Sequence, residues 1–151
     1  MKTIQTILLS ALVVLTHFSA AATSVDEPLL LEMAKEDQQQ RRGITVVRTD
    51  GERRQLLFTL IAQGKIQTAN DHFRAGLILQ HTGGKYCEGK LGSISEENYL
   101  LAHEFFKSAW EKGRNDAGYY VAASIDRYLS LTKGFQKYGT NRLYIEETDS
   151  E

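Results

Sequence analysis

The placement of glycine and proline constrains this chain more than any other feature. The one proline, Pro28, suits the first turn of a helix, where a missing N–H costs nothing. Gly43, Gly64, Gly113 and Gly134 each stand where a run of helically spaced apolar residues ends, the position at which glycine stops a helix. The intervening stretches read as helices from about Pro28 to Arg42, Gly51 to Gln63, Thr68 to Gln80, Ser95 to Gly113, and Asn115 to Gly134. Leu29, Leu30, Met33 and Ala34 line the first, and Leu56, Leu57, Leu60 and Ile61 the second. Thr68 with Asp71 three residues on is an N-cap signature. Ser95 followed by Glu96 and Glu97 places acid at the positive end of a helix dipole. Residues 43–50 read as a linker. Gly83, Gly84, Gly89 and Gly92 make Thr82 to Ile94 a long glycine-rich loop. The expectation is an all-α fold of about five helices. Arg114 and Asn115 turn the last two into an antiparallel pair.

Residues 1–22 read as a secretory signal peptide. Lys2 supplies the positive start, Ile4 to Val14 the apolar run, and Ala20 and Ala22 a small-residue cleavage site. The apolar run is too short for a bilayer core and is followed by Thr16 and His17. Residues 23–151 then form one helical domain whose acidic tail, Glu146 to Glu151, is expected to fray. A net charge of −1 supplies no general attraction for nucleic acid or anionic lipid. Cys87 is the lone cysteine, so core packing holds the domain without an internal disulfide, and any bridge is intermolecular.

The close contact expected between helices four and five involves Phe106, Ala109, Trp110, Ala117, Val121 and Ile125, with Leu77 and Ile78 against them. Small residues let two helices approach and aromatics fill the groove. From Ala102 to Ile125 this pattern resembles the tetratricopeptide-like class of helix pairs, as one pair and not a tandem array. A second pattern runs through Asp37-Gln38, Gln80-His81, Asp126-Arg127-Tyr128-Leu129 and Gln136-x-Tyr138-Gly139-Thr140. It resembles a family of uncharacterised, mostly exported bacterial helical proteins. The likeness implies a shared fold and carries no activity. The chain departs from that family in the longer loop that holds Cys87.

Candidate chemistry centres on a few polar residues. His72 and His81, nine residues apart, fall on opposite faces of one helix and share no metal. His103-Glu104 begins like a zincin motif, but Lys107 stands at the second histidine position. His103 reads as a packing residue on a face with Tyr99, Phe106 and Trp110. No metal or cofactor is expected. Asp126 and Arg127 lie deep in the fifth helix, so each either finds a partner elsewhere or faces solvent. One reading gathers them with His81 and Gln136 in a polar pocket. The other has Asp126 accepting backbone donors of the Gln136 to Asn141 turn, with Arg127 covering carbonyls of that turn or of the loop after His81. The candidate binding set is Gln80, His81, Asp126, Arg127, Gln136, Tyr138 and Thr140, with His81, Asp126 and Arg127 as catalytic candidates. The doublets Arg41-Arg42 and Arg53-Arg54 are offset by neighbouring acids.

The expected function is binding of a protein or peptide in the bacterial envelope, periplasmic or secreted. The alternative is a small exported hydrolase-like enzyme using His81 or Asp126 as acid or base. Mass spectrometry of the mature protein is expected to find its N-terminus near Thr23; an intact Met1 in envelope extracts refutes cleavage.

Overall fold

Local backbone chemistry opens the third helix where the sequence places the signal. The computed structural model describes residues 24–87 and 90–141. The signal segment and the acidic tail lie outside the described residues, and the Cys87 side chain is likewise not described. Helix α1 spans Pro28–Arg41, α2 Asp50–Ala62, α3 Ala69–Gln80, α4 Glu97–Glu111 and α5 Ala117–Lys133. Thr68 and Asp71 exchange bonds in a capping box at the start of α3, as the sequence predicts, and Thr49 and Glu52 form a second at α2. The expected opening of α4 shifts. Ser95 lies ahead of the cap and donates its hydroxyl to the Glu97 carboxylate at 2.9 Å, while the cap residue Glu96 makes no side-chain bond. Asp116, the cap residue of α5, likewise makes no side-chain cap bond; its carboxylate pairs with Arg114 at 2.9 Å.

The glycine-rich stretch is not wholly a loop. Strand β1, Gly84–Cys87, pairs antiparallel with β2, Lys90–Ser93, in a register that sets Gly84 opposite Ser93 and Tyr86 opposite Leu91. Ladder bonds need only extended backbone, so glycine density that argues against helix leaves such a hairpin open. The Ile94 N–H donates to the Gly83 carbonyl at 3.1 Å and extends the pairing. Strand β2 rests against α5.

Helix α3 packs against α4, α1 and α2, and α4 against α5. Leu30, Met33, Leu57, Ala75, Leu79, Ala102, Phe106, Ala109 and Ala117 lose essentially all exposure. At the centre, the rings of Phe73, Phe106 and Tyr120 meet with centroids 4.9–5.5 Å apart. The Phe106 ring reaches the α3 backbone at Gly76, where an added Cβ would lie 2.7 Å from Phe106 Cε1. Only glycine leaves that space. Leu77 and Ile78 are buried as expected, and Val121 and Ile125 are half-buried. Trp110 departs from expectation. It is 54% exposed, because the buried stripe of α4 runs through Tyr99, Ala102, Phe106 and Ala109, and Trp110 stands about 100° round from Ala109.

Phe106→Ala is expected to cost about 3–5 kcal/mol in chemical denaturation, through lost burial and a cavity. Gly76→Ala is expected to cost about 1–3 kcal/mol by overpacking, with part of that loss relieved in the Gly76→Ala, Phe106→Leu double variant. Additive losses in the double variant refute the contact as the cause.

Candidate functional site

Asp126 has no exposed surface, yet it lies mid-helix in α5, where the backbone donors are already used. Its donors come from the segment beyond α5. Oδ1 accepts the Lys137 N–H at 2.7 Å and the Tyr138 N–H at 2.8 Å. Oδ2 accepts the Thr140 N–H and the Thr140 hydroxyl, both at 2.8 Å. Gly139, at φ 69°, takes the left-handed conformation that lets three N–H groups converge on one carboxylate. Gln136 closes the turn: its amide donates to the Asn141 carbonyl at 2.7 Å and accepts the Asn141 N–H at 2.9 Å. The Asn141 amide reaches the Ala123 carbonyl at 3.1 Å. Burial raises the Asp126 carboxyl, but the Thr140, Tyr138 and Lys137 donors outweigh it and hold the group below its ordinary value.

Arg127 reaches both the end of α3 and the same turn. It donates to the Gln80 carbonyl at 2.9 Å, covering the end of α3, and to the Asn141 side chain at 3.4 Å. Burial pushes its guanidinium down from the ordinary arginine value. Arg127 thus joins Gln80 to the turn of Gln136, Tyr138 and Thr140.

His81 belongs to a different contact. Its Nδ1 lies 2.7 Å from Asp37 Oδ2, and the Gln38 amide donates to the same oxygen at 2.9 Å. Asp37 is 1% exposed, so α1 is tied to the end of α3 through a buried carboxylate. Among the described residues no hydrogen bond joins His81 to Asp126 or Gln136. Of the two readings of the sequence, the pocket of those three separates into two seams, and Asp126 and Arg127 bond as the other reading has them, Asp126 to backbone donors of the turn and Arg127 to a carbonyl. His72 sits at the far end of α3, with Nδ1 2.8 Å from the Thr68 carbonyl.

The turn also delivers Tyr138, which is 56% exposed, to the α4–α5 surface. There His103, Trp110, Gly118, Val121, Ala122 and Tyr138 line a slot of about 280 Å³. His103 and Trp110 are seven apart on α4 and share one face; Gly118, Val121 and Ala122 share the facing side of α5. The face that the sequence assigns to Tyr99, His103, Phe106 and Trp110 thus divides. Tyr99 and Phe106 go inward, and His103 and Trp110 border the slot. His103 Nδ1 is 2.9 Å from the Val121 carbonyl. The His103–Trp110 spacing was the available sequence signal for the slot.

A wider groove of about 390 Å³ runs between α1 and α3, past Lys35, Arg42, Phe73, Arg74 and Arg114. Two of its cations are engaged. Arg74 pairs with Asp26 at 2.8 Å, and Arg114 bonds Asn70 at 2.7 Å while lying 3.7 Å over the Phe73 ring. Those contacts make the floor of the groove a seam between elements. Compared with models of known protein families, with curated proteins and with solved structures, the chain has no match.

Asp126→Ala is expected to lose about 1–3 kcal/mol and to open the 136–141 turn to protease, because buried donors lose their acceptor. Asp126→Asn loses less. A carboxyl held below its ordinary value stabilises the fold above the ordinary carboxylate range, and that stability is lost as pH falls through the folded value. Acid denaturation is therefore expected to be steeper in the wild type than in Asp126→Asn. Superimposable pH profiles refute the role.

Proposed function

We propose that the protein is an exported binding module of the bacterial envelope, which takes a protein or peptide partner at the slot between Trp110 and Tyr138. The observation that carries this reading is the exposure of Trp110, the chain's one tryptophan, on the rim of an apolar slot. Trp110 and Tyr138, both more than half exposed, border the same slot, and it is exposed apolar surface gathered in one place that marks an interaction site. Tryptophan and tyrosine are also the residues that contribute most to binding when a partner covers them. The Asp126-held turn fixes the backbone at Tyr138, so one wall of the slot is ordered before a partner arrives. The volume suits one side chain of a partner, with the surrounding surface excluding water.

The charge distribution points the same way. Arg41 and Arg53 both bond Asp50, and Arg48 pairs with Glu32 and Glu36 at 2.9 and 2.8 Å. The basic doublets are thus partly spent within the α1–α2 region, which favours an uncharged mode of recognition over nucleic acid. No helix among the described residues is long and apolar enough to cross a membrane.

A second reading, a small exported hydrolase-like enzyme, rests on the His81–Asp37 contact, the arrangement that orients an imidazole for proton transfer. Asp126 is unsuited to that role, since both of its oxygens are occupied by donors.

Selection of a displayed random-peptide library on the mature protein tests the binding reading. Enriched peptides are expected to share one bulky apolar or aromatic residue. Their binding is expected to fall at least about tenfold in Trp110→Ala and to persist in Lys35→Ala. Enriched peptides that bind Trp110→Ala as tightly as the wild type, or hydrolysis that depends on His81 without peptide capture, overturn it.

A further inference from the structure

We infer that the side chain taken by the slot is a tyrosine, and that His103 is the residue that selects it. This rests on the slot being the binding site, and it adds the chemistry of the partner. A backbone carbonyl only accepts hydrogen bonds. His103 Nδ1, at 2.9 Å from the Val121 carbonyl, therefore carries its hydrogen. In the neutral ring, Nε2 is then a bare acceptor. Among the described residues Nε2 has no hydrogen-bond partner, whereas Nδ1 also lies 3.4 Å from the Ser124 hydroxyl.

The rest of the lining sets the shape of the ligand. Trp110 and Tyr138 contribute aromatic rings, and Gly118, Val121 and Ala122 contribute backbone and small apolar groups. The Trp110 indole N–H only donates and the Tyr138 hydroxyl can donate or accept, so His103 Nε2 is the one lining side-chain atom that can only accept. A planar ring satisfies the aromatic walls, and a hydroxyl on that ring satisfies Nε2. Phenylalanine fills the same space but strips water from Nε2 without replacing the bond, which costs binding. Serine or threonine offers the hydroxyl and leaves the walls in water. A site built to bond a hydroxyl discriminates against the isostere that lacks it. The partner is thus a protein segment that presents a tyrosine.

The test uses the mature protein and two acetylated pentapeptides, Ala-Ala-Tyr-Ala-Ala and its phenylalanine counterpart, with emission from the single tryptophan as the readout. Both are expected to alter Trp110 emission, the tyrosine peptide binding on the order of tenfold tighter. His103→Asn retains an amide N–H for the Val121 carbonyl and removes Nε2; in it the two peptides are expected to bind alike, at the affinity of the phenylalanine peptide. A purely packing role for His103 would weaken both peptides together and keep their ratio. Equal affinities in the wild type, or a preference that survives His103→Asn, overturn the selection by His103 and leave the slot standing. N-acetyltyrosinamide binding as tightly as the pentapeptide overturns the assignment to a protein segment. Silence of Trp110 to every probe removes the slot itself, and the inference with it.

Discussion

The contact between the Phe106 ring and the bare backbone at Gly76 sets the distance between α3 and α4, and the other helices are arranged around that distance. Helix α3 is the one element that touches α1, α2 and α4. Because an aromatic ring lies directly on its backbone, it approaches α4 closely enough for Ala102 and Ala109 to be sealed. Helix α5 packs along α4 and brings Tyr120 to the Phe73–Phe106 pair. The apolar rows of α3, through Phe73, Ala75, Leu77, Ile78 and Leu79, leave almost none of its apolar surface in water.

Polar residues hold this arrangement at its edges. Asp71 accepts the N–H groups of Glu27 and Thr68 at 2.9 and 3.1 Å, so the approach to α1 is fixed at the head of α3. Asp26 accepts from Thr68, Asn70 and Arg74 beside it. At the tail of α3, His81 faces Asp37 and Arg127 covers the Gln80 carbonyl. Each end of the central helix is therefore tied to α1, and its tail to α5 as well. A buried carboxylate with converging donors is costly to disturb from either side, because removing one partner leaves the other unpaired in a dry setting.

Much of this was legible in the sequence because it depends on local backbone chemistry. Gly43, Gly113 and Gly134 end helices where they stand, and Thr68 with Asp71 opens α3. Asp126 was legible for a different reason: an acid flanked by apolar residues in a helix must find donors, and a glycine-containing polar turn follows within reach. The hairpin of residues 84–93 was not legible, because strands of four residues have little preference of their own and form through pairing. Trp110 was misplaced because the aromatic spacing on α4 fits two adjacent faces, and only the position of α3 decides which is buried. The contact of Asp37 with His81 joins residues 44 apart in sequence, and no spacing rule reaches across two intervening helices.

The bonds around α5 differ from the others in how much chain they enclose. Asp126 reaches partners only 11 to 14 residues away, while the ties of His81 to Asp37 and of Asp71 to Glu27 each enclose 44 residues and that of Arg127 to Gln80 encloses 47. Closing a short loop sacrifices less chain entropy than closing a long one, and it happens sooner. The final turn can thus condense onto α5 while α1 is still distant, and Tyr138 takes its place as part of a locally assembled unit. The slot is thus built from residues 103 to 138, a short stretch of chain, whereas the ties to α1 enclose far longer loops.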